Sequence, residues 1–373
     1  MNKITHIITG LNNGGAEAVL YRLCTNDTGA THTVISLMDM GKYGPMLEEQ
    51  GIEVVCLNMP QGRLTIAGLV KLWKTLRQHK SSVVQTWMYH ADLVGGVIAK
   101  LAGIKKINWG IRHTDLVPGE SSKATIFIAK LCAKLSNFIP SKIVCCAQRS
   151  VEVHAALGYN QSKMVVIGNG YELAKYAPNA ELAKQLISEL SLPNLPLLGM
   201  VGRFDPLKNH ENLLQALGLL KKKGYAFSCL LIGPNMDSNN QELGQWITDN
   251  KLSENVILLG QRPDIPAIMN TLDVHLLSSI SEAFPNVLAE AMACGTPCVT
   301  TDVGDAAVIV NNTGWVVPPK NPTALAEGIE QALLEMQNQP EVWQERKHKC
   351  RKHIEENFSI ETMISKYHNV WNS

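Results

Sequence analysis

The 373-residue chain has no stretch approaching the roughly 18 consecutive apolar residues that a membrane-spanning helix needs. Its opening, Met1-Asn2-Lys3-Ile4-Thr5-His6-Ile7-Ile8, has no long apolar segment before a small-residue cleavage site, so no secretory leader is expected. Its nine cysteines (24, 56, 132, 145, 146, 229, 294, 298 and 350) are odd in number and form no C-x-x-C pair. That argues against a disulfide framework; reduced, mostly buried thiols in a cytoplasmic protein are expected. No H-x-E…C-x-x-C pattern or carboxylate cluster suggests a metal centre, so none is expected. No recognised nucleic-acid motif accompanies the basic patches, and nucleic acid is not an expected partner.

What is present is ordinary globular material. Hydrophobic residues make up 45% and charged residues 18%, enough for a sizeable core, and the length suggests two domains. The net charge of +1 hides an asymmetry: residues 1–170 carry 18 Lys and Arg against 10 Asp and Glu, and the remainder 16 against 23. A basic first half joined to an acidic second half points to two domains with different partners.

The first half alternates short β-rich runs (Ile4–Thr9, Thr33–Leu37, Glu53–Leu57, Val83–Thr86, Ile107–Ile111, Ile143–Cys146, Met164–Ile167) with helical patterns, which predicts a parallel, doubly wound α/β sheet. Ligands of such sheets bind at the carboxyl ends of the strands. Three loops fall there. In Gly10-Leu11-Asn12-Asn13-Gly14-Gly15-Ala16-Glu17, the glycine pair lets backbone approach a diphosphate or simply makes a tight turn. Gln85–Asp92 offers a polar and aromatic mouth, or a helix start with Asp92 in its first turn. Gly110–Asp115 places His113 at a strand end, where it is a ligand contact or a structural histidine.

The basic excess lies in two acid-free runs. Val54–Ala91 holds Arg63, Lys71, Lys74, Arg77 and Lys80; Ser121–Val151 holds Lys123, Lys130, Lys134, Lys142 and Arg149. In the second, Phe127, Leu131, Leu135 and Phe138 recur at helical spacing beside Lys123, Lys130 and Lys134. That pattern suits an interfacial helix on an anionic membrane, or a core helix with a solvated lysine edge.

The strand pattern stops around Gly168-Asn169-Gly170-Tyr171, where the domain junction is expected. A second alternation then runs from Leu197–Arg203 to Pro297–Thr301 with helices beyond 321, implying two α/β halves with a cleft between them. Gly202-Arg203-Phe204-Asp205-Pro206-Leu207-Lys208-Asn209 ends its first strand and sets two cations before a helix that Asn209 can cap. Gly260-Gln261-Arg262-Pro263-Asp264 ends another strand and could grip a planar base. The focus is Ser281-Glu282-Ala283-Phe284-Pro285-Asn286-Val287-Leu288-Ala289-Glu290, after strand pattern 273–277. Pro285 suits a first helical position, and the amides of Asn286 and Val287 then face outward with the positive end of the helix dipole behind them, an anion site. Glu290 lies about five residues in, roughly 7.5 Å along the axis, and its side chain leans back toward the helix start.

Taken together and in order, these segments resemble glycosyltransferase family 4, retaining transferases of the GT-B fold. The likeness rests on Glu282-x7-Glu290 in its Ser-Glu-Ala-Phe-Pro-Asn context, Gly-Arg-Phe-x3-Lys at 202–208, Gly-Gly-Ala-Glu at 14–17 and Val-Ile-Gly-Asn-Gly at 166–170. It implies two Rossmann-like domains across a deep cleft: an acceptor-binding domain at 1–172, a nucleotide-sugar domain at 173–356, and a last helix near 357–373 packing back on the first. It further implies that Arg203 and Lys208 stabilise the departing diphosphate, that Glu282 with Phe284, Asn286 and Val287 holds the donor sugar, and that Glu290 holds the ribose. Arg262's loop would take the base, Gly14 and Gly15 the phosphates, and His113 the sugar. The catalytic set would be Glu282, His113, Arg203 and Lys208. The implied reaction moves a hexose or N-acetylhexosamine, with retention and without a metal or other cofactor, from a nucleotide-diphosphate sugar, UDP being favoured. The acceptor would be lipid-linked (a polyprenyl diphosphate) or a polysaccharide of cell-surface glycan synthesis. The protein would be cytoplasmic, at the inner face of an anionic membrane that Lys123, Lys130 and Lys134 contact. An epimerase of related fold and a non-catalytic nucleotide-sugar-binding subunit share the phosphate logic and remain alternatives. Two departures from the family pattern are Ala283, where the family has Gly, and Gly168, where it often has Pro. A positive φ at 283 would strain alanine.

Overall fold

The computed structural model describes residues 2–112 and 122–373. The chain divides into two compact units, Met1–Gly170 with Ile360–Ser373, and Tyr171–Ser359.

In the first unit, seven parallel strands, β1 (Asn2–Ile8), β2 (Ala30–Ser36), β3 (Glu53–Cys56), β4 (Val83–Trp87), β5 (Lys106–Ile111), β6 (Lys142–Cys145) and β7 (Met164–Val166), pair in the order β3-β2-β1-β4-β5-β6-β7. Successive strand residues point to opposite faces. Ile7, Ile35, Val84 and Ile107 therefore join one apolar cluster with residues of the helices Ile66–His79, Tyr89–Leu101 and Lys123–Leu135. Ile4, Ile8, Val34 and Trp87 join the other, with the helix Gly15–Asn26 and the last helix, Ile360–Asn372. Cover on both faces is why the central strands show no apolar–polar alternation, and why even their polar residues, Thr5, His6, Gln85, Thr86 and Asn108, are buried.

The last helix is fixed by polar contacts as well as by Met363, Tyr367, Val370 and Trp371. Arg112 lies 4.7 Å over the Trp87 ring and donates to Asn169 Oδ1 at 3.1 Å and to the Tyr367 hydroxyl. His368 Nε2 meets Asp27 Oδ2 at 2.8 Å. Against the opposing effect of burial, His32, His368 and the Gly29 N–H bring the Asp27 carboxyl down to about 2.

In the second unit, β8 (Leu197–Val201), β9 (Ser228–Ile232), β10 (Val256–Gly260), β11 (Val274–Leu277), β12 (Cys298–Thr301) and β13 (Trp315–Val317) are parallel in the order β10-β9-β8-β11-β12-β13. The chain builds outward from β8 in one direction and then returns to add β11 on its other side. The loops after β8 and β11 therefore leave the same edge of the sheet side by side, at the switch point where open α/β sheets bind ligands. All nine cysteines are unpaired, and all but Cys56 are buried.

Candidate functional site

The two loops at the second switch point are joined by their own backbone. The Ile280 N–H donates to Leu207 O at 2.8 Å, and Ser278 Oγ donates to Lys208 O at 2.8 Å and to Asn209 O at 3.1 Å. This lacing brings Lys208 Nζ onto Glu282 Oε1, where the carboxylate also accepts from Ser279 Oγ at 2.7 Å. Ser279 is held from β12, whose Thr301 Oγ1 donates to Ser279 O at 2.6 Å. The Lys208 and Glu282 side chains are 22% and 14% exposed, so their pair is partly desolvated while still reachable from solvent.

Arg203 stands at the end of the same β8 loop, 67% exposed, with Nε donating to Asp205 Oδ2 at 2.9 Å. Asp205 Oδ1 accepts from the Leu207 N–H at 2.9 Å and so caps the turn Pro206–Lys208. Burial works to raise the Asp205 carboxyl, but the Leu207 N–H and the Arg203 and Lys208 charges outweigh it and hold it below the ordinary carboxylate range. Nearby His210 is pushed down to about 4 and His275 to about 3, by burial first and by Lys208 second. Both imidazoles are therefore neutral at physiological pH, and the positive charge on the β8 loop comes from Arg203 and Lys208.

The helix after β11 is Asn286–Ala293. It corrects one expectation: Pro285 is the capping residue before the helix, not its first residue. Its φ of −73° suits either position, but its ψ of 91° is extended. Asn286 and Val287 are then the first two helical residues, and Asn286 Oδ1 accepts from the Tyr171 hydroxyl at 2.6 Å. Phe284 is buried, edge-on to Phe358 at 5.7 Å. Glu290 is half-buried at the fifth helical position. A second expectation is also corrected: Asn209 occupies the capping position of the helix His210–Lys222, but in a left-handed conformation (φ 52°) with no side-chain cap bond.

Ala283 is not among the residues with positive φ, so alanine carries no such strain there. The glycine requirement falls instead on Gly304, with φ +54°: a Cβ at 304 would sit 2.3 Å from Glu282 O and 2.5 Å from Ala283 O. The loop after β12 thus backs directly onto the Glu282–Ala283 peptide, and the Asp305 N–H donates to Ala283 O at 3.1 Å.

The other expected site residues lie elsewhere. Arg262, after β10, is engaged by carboxylates: Nε and Nη2 meet Asp264 at 2.8 and 2.6 Å, and Nη2 meets Glu189 at 3.2 Å. Gly14 and Gly15 are in the first unit, where Gly14 precedes the helix Gly15–Asn26. Lys123, Lys130 and Lys134 are exposed on the helix Lys123–Leu135, as is Phe127, whereas Leu131 and Leu135 are half-buried; Phe138 is exposed beyond the helix end. His113 lies outside the described residues. The residues that the sequence did not single out are Asp205, Ser279, Tyr171 and Gly304. Only Asp205, in an Asp-Pro pair, carried a local capping signal.

Among the described residues, one group of side chains is close enough to share a metal ion: His6, Cys24 and His32, buried in the first unit with ligand atoms within 4.8 Å. Trp87 Nε1, which can only donate, bonds His6 Nδ1 at 3.1 Å. His6 is neutral, kept so by burial and His32 against Asp27. Its proton is therefore on Nε2 and goes to His32 Nδ1 at 3.0 Å, leaving the His32 Nε2 proton for Asp27 Oδ2 at 3.2 Å. The imidazole nitrogens that a metal would need are already committed to a directional hydrogen-bond chain.

Two doubly wound parallel-sheet units, one with cations and a carboxylate laced together at its switch point, define the GT-B class of transferase. Comparisons identify the family. Residues 13–175 match the Glycosyltransferase Family 4 model, and residues 182–350 match that of Glycosyl transferases group 1. The chain belongs to this glycosyltransferase family. It is 27% identical over 248 residues to a UDP-Gal:α-D-GlcNAc-diphosphoundecaprenol α-1,3-galactosyltransferase of Escherichia coli, a match covering 65% of this chain and 64% of that protein. It is 24% identical over 319 residues to the capsular polysaccharide biosynthesis glycosyltransferase CapM of Staphylococcus aureus, covering 83% and 81%. In fold it is similar to Anabaena Alr3699/HepE, solved with UDP: TM-score 0.86, 23% identity and 99% of each chain. No helix among the described residues is long and apolar enough to cross a membrane.

Proposed function

We propose that this chain transfers a hexose or N-acetylhexosamine from a UDP-sugar to a hydroxyl of a lipid-linked or polysaccharide acceptor in cell-surface glycan synthesis, with retention of anomeric configuration. The observation that carries the reading is the Lys208–Glu282–Ser279 cluster at the switch point, with the Arg203 guanidinium exposed on the same loop. In this reading Arg203 and Lys208 receive the diphosphate as negative charge grows on the leaving oxygen. Phe284 and the amides of Asn286 and Val287, at the positive end of a helix, lie beside the donor sugar. Glu282 supports positive charge on the sugar, Glu290 binds the ribose hydroxyls, and the backbone of the Arg262 loop borders the base. With two cations and a helix end on the phosphates, no metal is required. The Escherichia coli relative's UDP-galactose donor and undecaprenyl-diphosphate acceptor support this choice of substrates. The exposed Lys123, Lys130 and Lys134 are assigned to the anionic surface on which such a lipid lies.

The test is to incubate UDP-sugars with and without diphosphate-linked lipid acceptors, following UDP release and reading product anomers by NMR. Transfer with retained configuration, unaffected by chelator, is expected. A changed sugar without acceptor would identify an epimerase, and UDP-sugar binding with no turnover would identify a binding subunit. For the membrane assignment, liposomes containing anionic lipid should bind the chain at low salt, and Lys130→Glu with Lys134→Glu should release it.

A further inference from the structure

The first unit holds a cavity of about 250 Å³ that the donor chemistry does not use. Its walls are apolar (Met38, Met59, Leu64, Leu93, Val94 and Ile128), with Arg63 and the half-buried His90 as its charged or ionisable members. Burial lowers the His90 pKa, which leaves Arg63 as the cation. The Arg63 guanidinium is exposed and has no partner among the described residues. The cavity lies where ligands of such sheets bind: Thr9 follows β1, Leu37 and Met38 follow β2, and His90 is the second residue of the helix after β4.

An apolar surface continues outward from it. Leu64 is 61% exposed, and Ile66, Val70 and Trp73 follow at 83%, 45% and 37% on one stripe of the helix Ile66–His79. Lys71, Lys74 and Arg77 are exposed on the same helix, and no acidic residue occurs between Val54 and Ala91. Water-facing aliphatic side chains with a tryptophan and cations beside them suit the boundary between hydrocarbon and anionic headgroups. The cavity equals roughly eight water volumes at ~30 Å³ each, room for a short branched hydrocarbon segment, and its mostly apolar walls leave the hydroxyls of a sugar few hydrogen-bond partners.

We propose that this cavity binds the diphosphate-proximal isoprene units of a polyprenyl-diphosphate acceptor, with Arg63 at its rim meeting the diphosphate. The Leu64–Trp73 stripe guides the remaining chain toward the membrane. This rests on the reading that the acceptor is lipid-linked and specifies how the first unit recognises it. The pairing of a hydrocarbon slot with a lone cation at its mouth favours a chain carrying phosphate over a neutral lipid.

Farnesyl diphosphate is the probe, titrated by calorimetry into the intact chain with and without saturating UDP. It is expected to bind in both cases, at least tenfold more tightly than inorganic pyrophosphate. Ala124→Trp, at an exposed position lining the cavity, fills it without touching the core and should weaken farnesyl diphosphate at least tenfold while leaving UDP affinity unchanged. Arg63→Glu should weaken it by a similar factor. Equal affinity for pyrophosphate, or indifference to Ala124→Trp, overturns the proposal. So does displacement of the probe by phosphatidylglycerol as effectively as by geranylgeranyl diphosphate, which would make an ordinary membrane lipid the occupant. UDP affinity and sugar transfer are read separately, so failure of the transferase reading would show as absent UDP binding or as UDP binding without transfer to acceptor, and not as absent farnesyl diphosphate binding.

Discussion

Replacing Glu282 by Gln separates ground-state binding from catalysis at the switch point. The Lys208 ammonium is bonded to Glu282, so a diphosphate that reaches Lys208 must share it with a carboxylate. Two anions on opposite sides of one ammonium, each about 2.8 Å away, lie about 5.5 Å apart. At an effective dielectric constant of about 20 their repulsion is about 3 kcal/mol per unit charge, and screening at ~0.15 M salt roughly halves it. Glutamine keeps an oxygen for the Ser279 hydroxyl and removes the charge, so UDP should bind about 1.5 kcal/mol, or tenfold, more tightly. The same change removes the carboxylate assigned to the reacting sugar, and kcat should fall by about 10²–10³. The two effects have opposite signs, which a merely destabilised site would not produce. Calorimetry with UDP gives one and initial rates at saturating UDP-sugar the other. Weaker UDP binding in the variant, or an unaltered kcat, refutes the assignment of Glu282 as a charge facing both the diphosphate and the sugar.

Arg203→Ala should lower kcat/KM for the UDP-sugar by about 10²–10³ with little change in Tm, because the guanidinium is exposed and its partner Asp205 keeps its turn bond to Leu207. Gly304→Ala forces a side chain onto the carbonyls of Glu282 and Ala283, so kcat should drop more than tenfold and stability by about 1–3 kcal/mol, read from paired rate and denaturant curves. Asp27→Asn takes the acceptor charge from His32 and His368 and should cost about 2–3 kcal/mol at neutral pH. Asp27's folded pKa of about 2 is below the unfolded value near 4, so its stabilisation is present above pH ~4 and lost as pH falls through 2; the two denaturation curves should converge in acid. Asp92 has the opposite sign. Burial, outweighing bonds from Thr86 and the Gly110 N–H, raises it to about 8, so its contribution is present below pH ~4 and lost as pH rises through 8. The Tm advantage of Asp92→Asn over the parent should widen from pH 4 to 9, and parallel Tm curves would contradict this.

Much of the architecture was legible because buried parallel strands carry a strong local signal. Val83–Thr86 and Val274–Leu277 are mostly apolar or β-branched, each interrupted by one polar residue (Gln85, His275), because they are covered on both faces. The edge strand Trp315–Val317 and the helix Ala306–Val310 were missed: three and five residues are too few to display a period. The site was legible as a set of loops, because the switch-point rule places the ends of β8 and β11 together whatever their sequence. Its pairings were not. Lys208 and Glu282 are 74 residues apart, and nothing local in either loop says that one will hold the other. Arg203 and Arg262 read as cations awaiting an anion, yet each has a carboxylate two residues ahead, Asp205 and Asp264, and the structure closes both short pairs. A ligand at Arg203 therefore competes with a neighbour that is itself held below the ordinary carboxylate range, so its net gain is smaller than a bare guanidinium would give.

The alanine at 283 shows why a motif is better treated as a contact requirement than as a string of letters. A glycine before Phe284 would suggest that backbone there must turn left-handed, or that something approaches too closely for a side chain. Here the first condition is absent, since Ala283 has no positive φ. The second is met from the opposite side, by Gly304 pressing on the carbonyls of residues 282 and 283 while the Asp305 N–H donates to Ala283 O. β12 is the neighbour of β11 in the sheet, so its following loop is the element available to support the peptide that carries Glu282. Thr301 does the same for Ser279 from the end of β12. The position of the Glu282 carboxylate is thus set by three consecutive strand ends, β8 through Lys208, β11 through its own loop and β12 through Thr301 and Gly304. Loss of any one should displace the carboxylate while leaving the sheet intact.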